Sequence, residues 1–179
     1  IEAELMNEHA LDASAARNLV RYVRDEDEAT GEPPTDRVIP IQRFTDEIGG
    51  AQYLQDLFKT RVLLSAADWD MLEKNTRDPS KPKRDLVVTD GQVLTLGDQQ
   101  LTFYITPCHT MGTVSTLVPV FDRGTRHVAA AWGGTAFNFP HSKERFQIYI
   151  DSARRFSDIV AKAGADVLIA NHTIFDGSK

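Results

Sequence analysis

From Gly49 onward the apolar positions fall into a readable pattern. Tyr53, Leu54, Leu57 and Phe58 recur at helical spacing, which predicts a short helix opened by Gly49-Gly50. Val62-Leu63-Leu64 is a continuous apolar run of the kind a buried strand shows. Ser65 to Asp68 has capping-box spacing, ahead of a helix carrying Trp69, Met71 and Leu72. Three runs follow at 86–88, 93–96 and 101–105, separated by the turn dipeptides Asp90-Gly91 and Gly97-Asp98, and together they predict a β-meander. Strands at 114–120 and 127–132 flank Asp122-Arg123-Gly124. The longest helical period covers 143–163, where Phe146, Tyr149, Ile150, Ala153, Phe156 and Val160 keep the i, i+3, i+4 spacing and Gly164 stands at the C-cap position. A last apolar strand, 166–170, runs into Asn171-His172. Helices, a meander, a long helix and a closing strand indicate a layered mixed α/β domain.

The first fifty residues read differently. Ala16, Leu19, Val20 and Val23 share one face of a helix-like stretch at 13–24, and Leu5, His9 and Leu11 lie among acids before it. Asp25-Glu26-Asp27-Glu28 and Gly31-Glu32-Pro33-Pro34 make a solvated loop. Val38-Ile39-Pro40-Ile41 predicts a short strand, with Pro40 at a sheet edge or a strand end. Twelve acids and five bases give this stretch a charge of −7, so the rest of the chain, at −6 overall, carries +1. That balance offers no basic face for nucleic acid. No apolar stretch approaches the roughly 20 residues of a membrane span. Cys108, the single cysteine of 179 residues, excludes an intramolecular disulfide and a CxxC metal site. The chain starts at Ile1 without a recognisable signal peptide, and any signal would lie upstream. Compartment, cytoplasmic or exported, stays open.

Chemistry concentrates at Thr106-Pro107-Cys108-His109-Thr110-Met111-Gly112-Thr113. A strand ends at Ile105 and Pro107 stops it. Gly112 permits a positive φ, and Thr110 and Thr113 can fix the loop through side-chain hydrogen bonds. A histidine in such a stiff loop suits a metal ligand or an acid/base, with an ordinary loop histidine as the alternative. A Cys108–His109 nucleophile pair is disfavoured, because neighbours on an extended segment point opposite ways. His141 reads as a solvent-facing loop residue, His127 as a strand-edge surface residue and His9 as solvated. Phe137, Phe139 and Trp69 are candidates to wall a pocket, or else core.

The loop Thr106-Pro-x-His109-Thr-x-Gly112-Thr113 resembles the metal-ligand loop of the metallo-β-lactamase-fold hydrolases. Further similarities follow in the family's order. The strand pair between Asp85 and Ile105 precedes the histidine, Ala131-Trp132-Gly133-Gly134-Thr135 stands where a strand delivers a bridging aspartate, and Ala170-Asn171-His172 matches the last metal histidine. The family's His-x-His-x-Asp-His signature falls on Gln42-Arg43-Phe44-Thr45-Asp46-Glu47, so Asp46 alone matches, and the bridging-aspartate position falls at Gly134.

The resemblance implies an αββα sandwich within a single domain spanning 1–179. Residues 49–179 are its recognisable core, and 1–48 a divergent helical and loop segment that leaves the N-terminal half incomplete or rearranged. An incomplete sandwich exposes a sheet edge and an apolar face, to be covered by a homodimer or by the N-terminal segment, the 13–24 stretch above all. One implied function is a hydrolase in which metal-activated water attacks an ester, amide, lactone or lactam carbonyl of a small-molecule substrate. Its metal ligands are Asp46, Glu47 and His172, and His109 is a further ligand or an acid/base. The donors suit one zinc ion or none, not two. The other function is that of a metal-depleted, non-catalytic relative that binds or self-associates.

Overall fold

The computed structural model describes residues 38–40, 45–74, 81–134 and 140–169, with side chains from Ala51 onward. Within these lie eight strands and three helices, five of the strands following one another directly between the second helix and the third. Two compact units form. One comprises residues up to Leu64 together with Trp69–Val87, the other Ser65–Asp68 together with the chain from Val88. The helix-like stretch at 13–24, the acidic loop, Phe137, Phe139 and the 170–172 ending lie outside the described residues.

In the first unit, β1 (Val38–Pro40), β2 (Arg61–Ser65) and β3 (Leu86–Val88) form a sheet in that order. β1 runs parallel to β2, with Val38 opposite Arg61 and Pro40 opposite Leu63. Its outer position suits the proline, whose missing N–H is tolerated at an edge. α1 (Thr45–Phe58) supplies the crossover that two parallel strands require.

α1 begins four residues before the glycine pair, so Gly49-Gly50 lies inside it. Thr45 is a capping residue type and Asp46-Glu47 places acids in the first turn, where the helix dipole favours them. These signals outweigh the propensity cost of two glycines. The buried face of α1 includes Ala51 and Leu54, while Leu57 stays exposed.

β2 buries four residues in a row, as a strand covered on both faces does. Val62 and Leu64 cluster with Ala51, Trp69 and Leu72. α2 (Ala66–Lys74) carries the last two. Trp69 is therefore core and walls no pocket: it is fully buried, and its indole N–H donates to the Leu86 carbonyl at 2.7 Å. Asp85, just before β3, accepts from Arg61 through both carboxylate oxygens and from the Val62 amide at 2.9 Å.

The second unit holds β4 (Val93–Leu96), β5 (Gln99–Ile105), β6 (Val114–Asp122), β7 (Thr125–Ala131) and β8 (Val167–Ile169), side by side in that order. The predicted meander thus loses its first member, since β3 joins the other sheet. Turn dipeptides mark where a chain reverses; they carry no information on which sheet each arm enters.

β4 to β7 are antiparallel, and their tight loops follow the local chemistry. Gly97 is left-handed at φ 58° in a two-residue loop, and Arg123-Gly124 takes φ of 48° and 85°, as a type I′ loop requires. β8 runs parallel to β7. His127 lies in β7 opposite Val120 of β6, two residues before the β8 ladder begins at Ala129, with Nδ1 2.7 Å from Asp166.

α3 (Lys143–Ala163) makes the β7-to-β8 crossover, with Gly164 at the C-cap where the sequence places it. Ser142 Oγ accepts the Arg145 N–H. Gly164, at φ 65°, donates to Ala161 while Ala165 donates to Val160, which completes a Schellman motif. Phe156 packs with Leu117 and Ala130. No helix among the described residues is long and apolar enough to cross a membrane.

The Arg61 guanidinium holds the Asp85 carboxyl below the usual carboxylate range, with help from the Val62 amide and against partial burial. Asp85→Asn should therefore destabilise the chain by about 1–2 kcal/mol at neutral pH. A lowered folded-state pKa adds stability above the unfolded value of about 3.9 and loses it as pH falls through the folded value. Urea unfolding of both proteins from pH 7 to pH 2 should show the gap closing below about pH 4.

Candidate functional site

At the end of β5 the chain leaves the sheet, and its backbone groups must find new partners. Ile105, the last residue of β5, is bracketed by side chains. Its N–H donates to Asp90 Oδ1 at 2.9 Å, and its carbonyl accepts from Arg155 Nη1 at 2.9 Å. Arg155 Nη2 closes the bracket on Asp90 Oδ2 at 2.6 Å. Beyond it, Thr106 N–H donates to the Thr113 carbonyl and Cys108 N–H to the Thr110 carbonyl, both at 2.8 Å, so the loop folds back on itself. Thr113 Oγ1 accepts the Thr110 N–H at 2.9 Å and lies 3.1 Å from the Thr110 carbonyl and hydroxyl oxygens. The threonines fix this loop as their spacing predicted.

Gly112 serves a purpose other than the expected one. Its φ is not positive; a Cβ there would collide with Ser65 Oγ and lie 2.6 Å from Asp68 Oδ1. Glycine is needed for close approach, not for backbone freedom. Asp68, 5% exposed, accepts from Thr110 Oγ1 at 2.9 Å, while its own N–H donates to Ser65 Oγ at 3.2 Å. The predicted capping residue Ser65 is confirmed, whereas the Asp68 carboxylate reaches the His109 loop.

One face of α3 meets the same loop. Arg145 Nη2 donates to the Cys108 carbonyl at 3.2 Å and Nη1 to Met111 Sδ at 2.7 Å. Ser152 Oγ donates to the Pro107 carbonyl at 2.7 Å. Between them, Tyr149 donates its hydroxyl to the Gly134 carbonyl at 2.6 Å and accepts from Trp132 Nε1 at 3.3 Å. Trp132 lies edge-on to Tyr149 and also contacts Phe156. Gly133 N–H donates to Ser115 Oγ at 3.1 Å, and that hydroxyl is 2.7 Å from Thr106 Oγ1. Buried hydroxyls thus join the segment after β7 to the start of the loop.

Cys108 sits in the middle of this arrangement, 1% exposed, with Sγ donating to the Thr106 carbonyl at 2.9 Å. Burial pushes its thiol pKa up. The geometry gives it the role of packing, not of a nucleophile. Gly134 lies directly against it, and a Cβ at 134 would collide with Cys108 Sγ. Burial likewise raises the Tyr149 phenol pKa, so it stays protonated and able to donate.

No family sequence profile and no curated protein sequence matches the chain. Solved structures do. A subclass B3 metallo-β-lactamase of Bradyrhizobium japonicum superposes with a TM-score of 0.63 at 23% identity, over 77% of this chain and 57% of its own. A class B3 di-zinc metallo-β-lactamase from an Alaskan soil metagenome gives 0.67 at 14%, over 84% and 63%. A B3 metallo-β-lactamase with an active-site glutamic acid gives 0.65 at 18%, over 90% and 66%. The chain has the metallo-β-lactamase fold. It spans less than two thirds of the length of each of these structures.

Within that fold the sequence-derived site residues are placed unevenly. His109 is half-buried in the braced loop between β5 and β6. Asp46 and Glu47 occupy the first turn of α1 and belong to the first unit, their side chains outside the described residues. His172 lies outside the described residues altogether. Among those described, no three His, Cys, Asp or Glu side chains gather into a metal-holding group. His141 is exposed in the approach to α3, its ring 5.2 Å from that of Phe146. Sequence reasoning missed the bracing residues Asp68, Asp90, Arg145, Tyr149, Ser152 and Arg155. Only the helical spacing of Arg145, Tyr149, Ser152 and Arg155 on α3 offered a signal.

The Cys108–Gly134 approach should show as coupling. Gly134→Ala should cost about 1–3 kcal/mol in the wild-type background and less when Cys108→Ala removes the opposing sulfur. A double-mutant cycle read by chemical denaturation checks this, with an expected coupling energy of about 0.5 kcal/mol or more.

Proposed function

We propose that this chain is a metal-dependent hydrolase acting on an ester, amide, lactone or lactam carbonyl of a small molecule. The observation that carries the reading is the metallo-β-lactamase fold, with His109 on a loop whose backbone is held at nearly every turn. Asp46, Glu47 and His172 would hold a single divalent ion, zinc by preference. His109 would be a further ligand or the general acid/base. Two carboxylates and two imidazoles fit one such ion in donor chemistry. They do not fit two: Gln42 and Phe44 are not useful donors, Gly134 carries no carboxylate, and the Cys108 thiol is turned into the protein. A structural neighbour is a B3 metallo-β-lactamase with an active-site glutamic acid, so a glutamate in the site of this fold has a precedent.

When bound, the ion supplies Lewis acidity and lowers the pKa of water. The chain's own contribution is positional. The loop presents His109 from a backbone tied by hydrogen bonds on both sides, which would hold a proton donor or acceptor in place as charge develops. The six bracing side chains spend hydrogen bonds on the end of β5, on the loop, on the 132–134 segment and on one another, and act as scaffold.

One observation favours a second reading, a metal-depleted relative that self-associates. β8 ends the five-stranded sheet, and its Leu168 is 70% exposed. A homodimer covering that edge fits such a surface.

Elemental analysis of protein purified without chelator decides between them. The hydrolase reading expects about one metal per chain, and less than about a tenth overturns it. His172→Ala should lower metal content and activity together; unchanged metal content removes His172 from the ligand set. Gln42→His, Phe44→His and Glu47→His in combination should raise zinc affinity, measured by competition with a chromophoric chelator. No gain would mean that the 42–47 segment does not contribute to the site.

A further inference from the structure

Arg145, Tyr149 and Ser152 are spaced four and three residues apart, so they stand one above another on α3. Arg145 and Ser152 grip the carbonyls of Cys108 and Pro107, which places both on the His109 loop. Tyr149 grips the other segment through the Gly134 carbonyl. Gly134 in turn lies against the Cys108 side chain with no room for a Cβ, and Cys108 immediately precedes His109. A single helix face therefore holds two chain segments that are distant in sequence, and their point of mutual contact is adjacent to the candidate site histidine.

We propose that Tyr149 is a positioning residue, its hydroxyl fixing the 132–134 segment against Cys108 and thereby the place of His109. This rests on the reading of His109 as a site residue and deepens it. Two features single out Tyr149 from its neighbours on the helix. Its oxygen acts in both directions, donating to Gly134 and accepting from Trp132 Nε1, so both partners depend on one atom. Its ring is independently held edge-on to Trp132, with centroids 5.9 Å apart, so removing the hydroxyl alone leaves the packing in place.

The test is amide hydrogen exchange, resolved by NMR, on metal-free protein with and without Tyr149→Phe. The variant should accelerate exchange at Gly133, Cys108 and Thr110 by about 3- to 10-fold, the range expected for one lost hydrogen bond. It should also shift the Trp132 indole N–H resonance. Amides of the β6–β7 ladder, such as Ala130, should change less than about twofold. Incorporating 3-fluorotyrosine at 149, which keeps the hydroxyl, should restore the slow exchange. Uniform acceleration across the second unit would reduce Tyr149 to a contributor to global stability and overturn the proposal. No change at Gly133 and Cys108 would overturn it equally. Zinc binding is measured separately on the unsubstituted protein. If zinc does not bind, the hydrolase reading falls, while the exchange pattern still decides the role of Tyr149.

Discussion

A chain that leaves a sheet carries its backbone polar groups with it, and inside a protein each needs a partner. Much of the second unit is organised around that constraint at the end of β5. Asp90 and Arg155 satisfy both backbone groups of Ile105, and Thr113 closes the loop from within. Arg145 and Ser152 donate to carbonyls that no strand can reach. α3 thus uses one face for two purposes. Phe156 packs against Leu117 and Ala130 on the same stripe that carries the donors Tyr149 and Ser152.

Small residues follow from the same constraint. With the loop held this tightly, Gly112 must pass beside Ser65 and Asp68, and Gly134 beside Cys108. Neither is left-handed. Both glycines are present because a neighbour occupies the space a side chain would need, and the buried hydroxyls of Thr106, Thr110, Thr113 and Ser115 fill the remaining room while pairing with one another.

The elements were legible where local chemistry sets them. Gly164 ends α3, and the hairpin loops at Gly97-Asp98 and Arg123-Gly124 formed as their residues predict. The sheet assignment of β3 was not legible, because it depends on pairing with β2 across the chain. The start of α1 was misplaced because two glycines read as a boundary, against capping and acidic signals that lay just upstream. At the candidate site, His109 and its threonines stood out by type and spacing. The braces did not, since a side chain that bonds to a carbonyl leaves no mark on the residue it holds. Arg145 and Arg155 look in sequence like an ordinary solvated helix face. The reason for Gly112 was likewise hidden: its obstacle, Asp68, is 44 residues away.

A scaffold that grips main-chain oxygens is largely indifferent to the side chains borne by the same residues. Ile105, Pro107 and Cys108 are held through carbonyls that any amino acid at those positions would also present. These main-chain grips persist whatever side chain position 109 presents at the loop surface. Such a design is evolvable: chemistry at the loop surface can drift while the architecture beneath it persists, and new specificities become accessible by single substitutions.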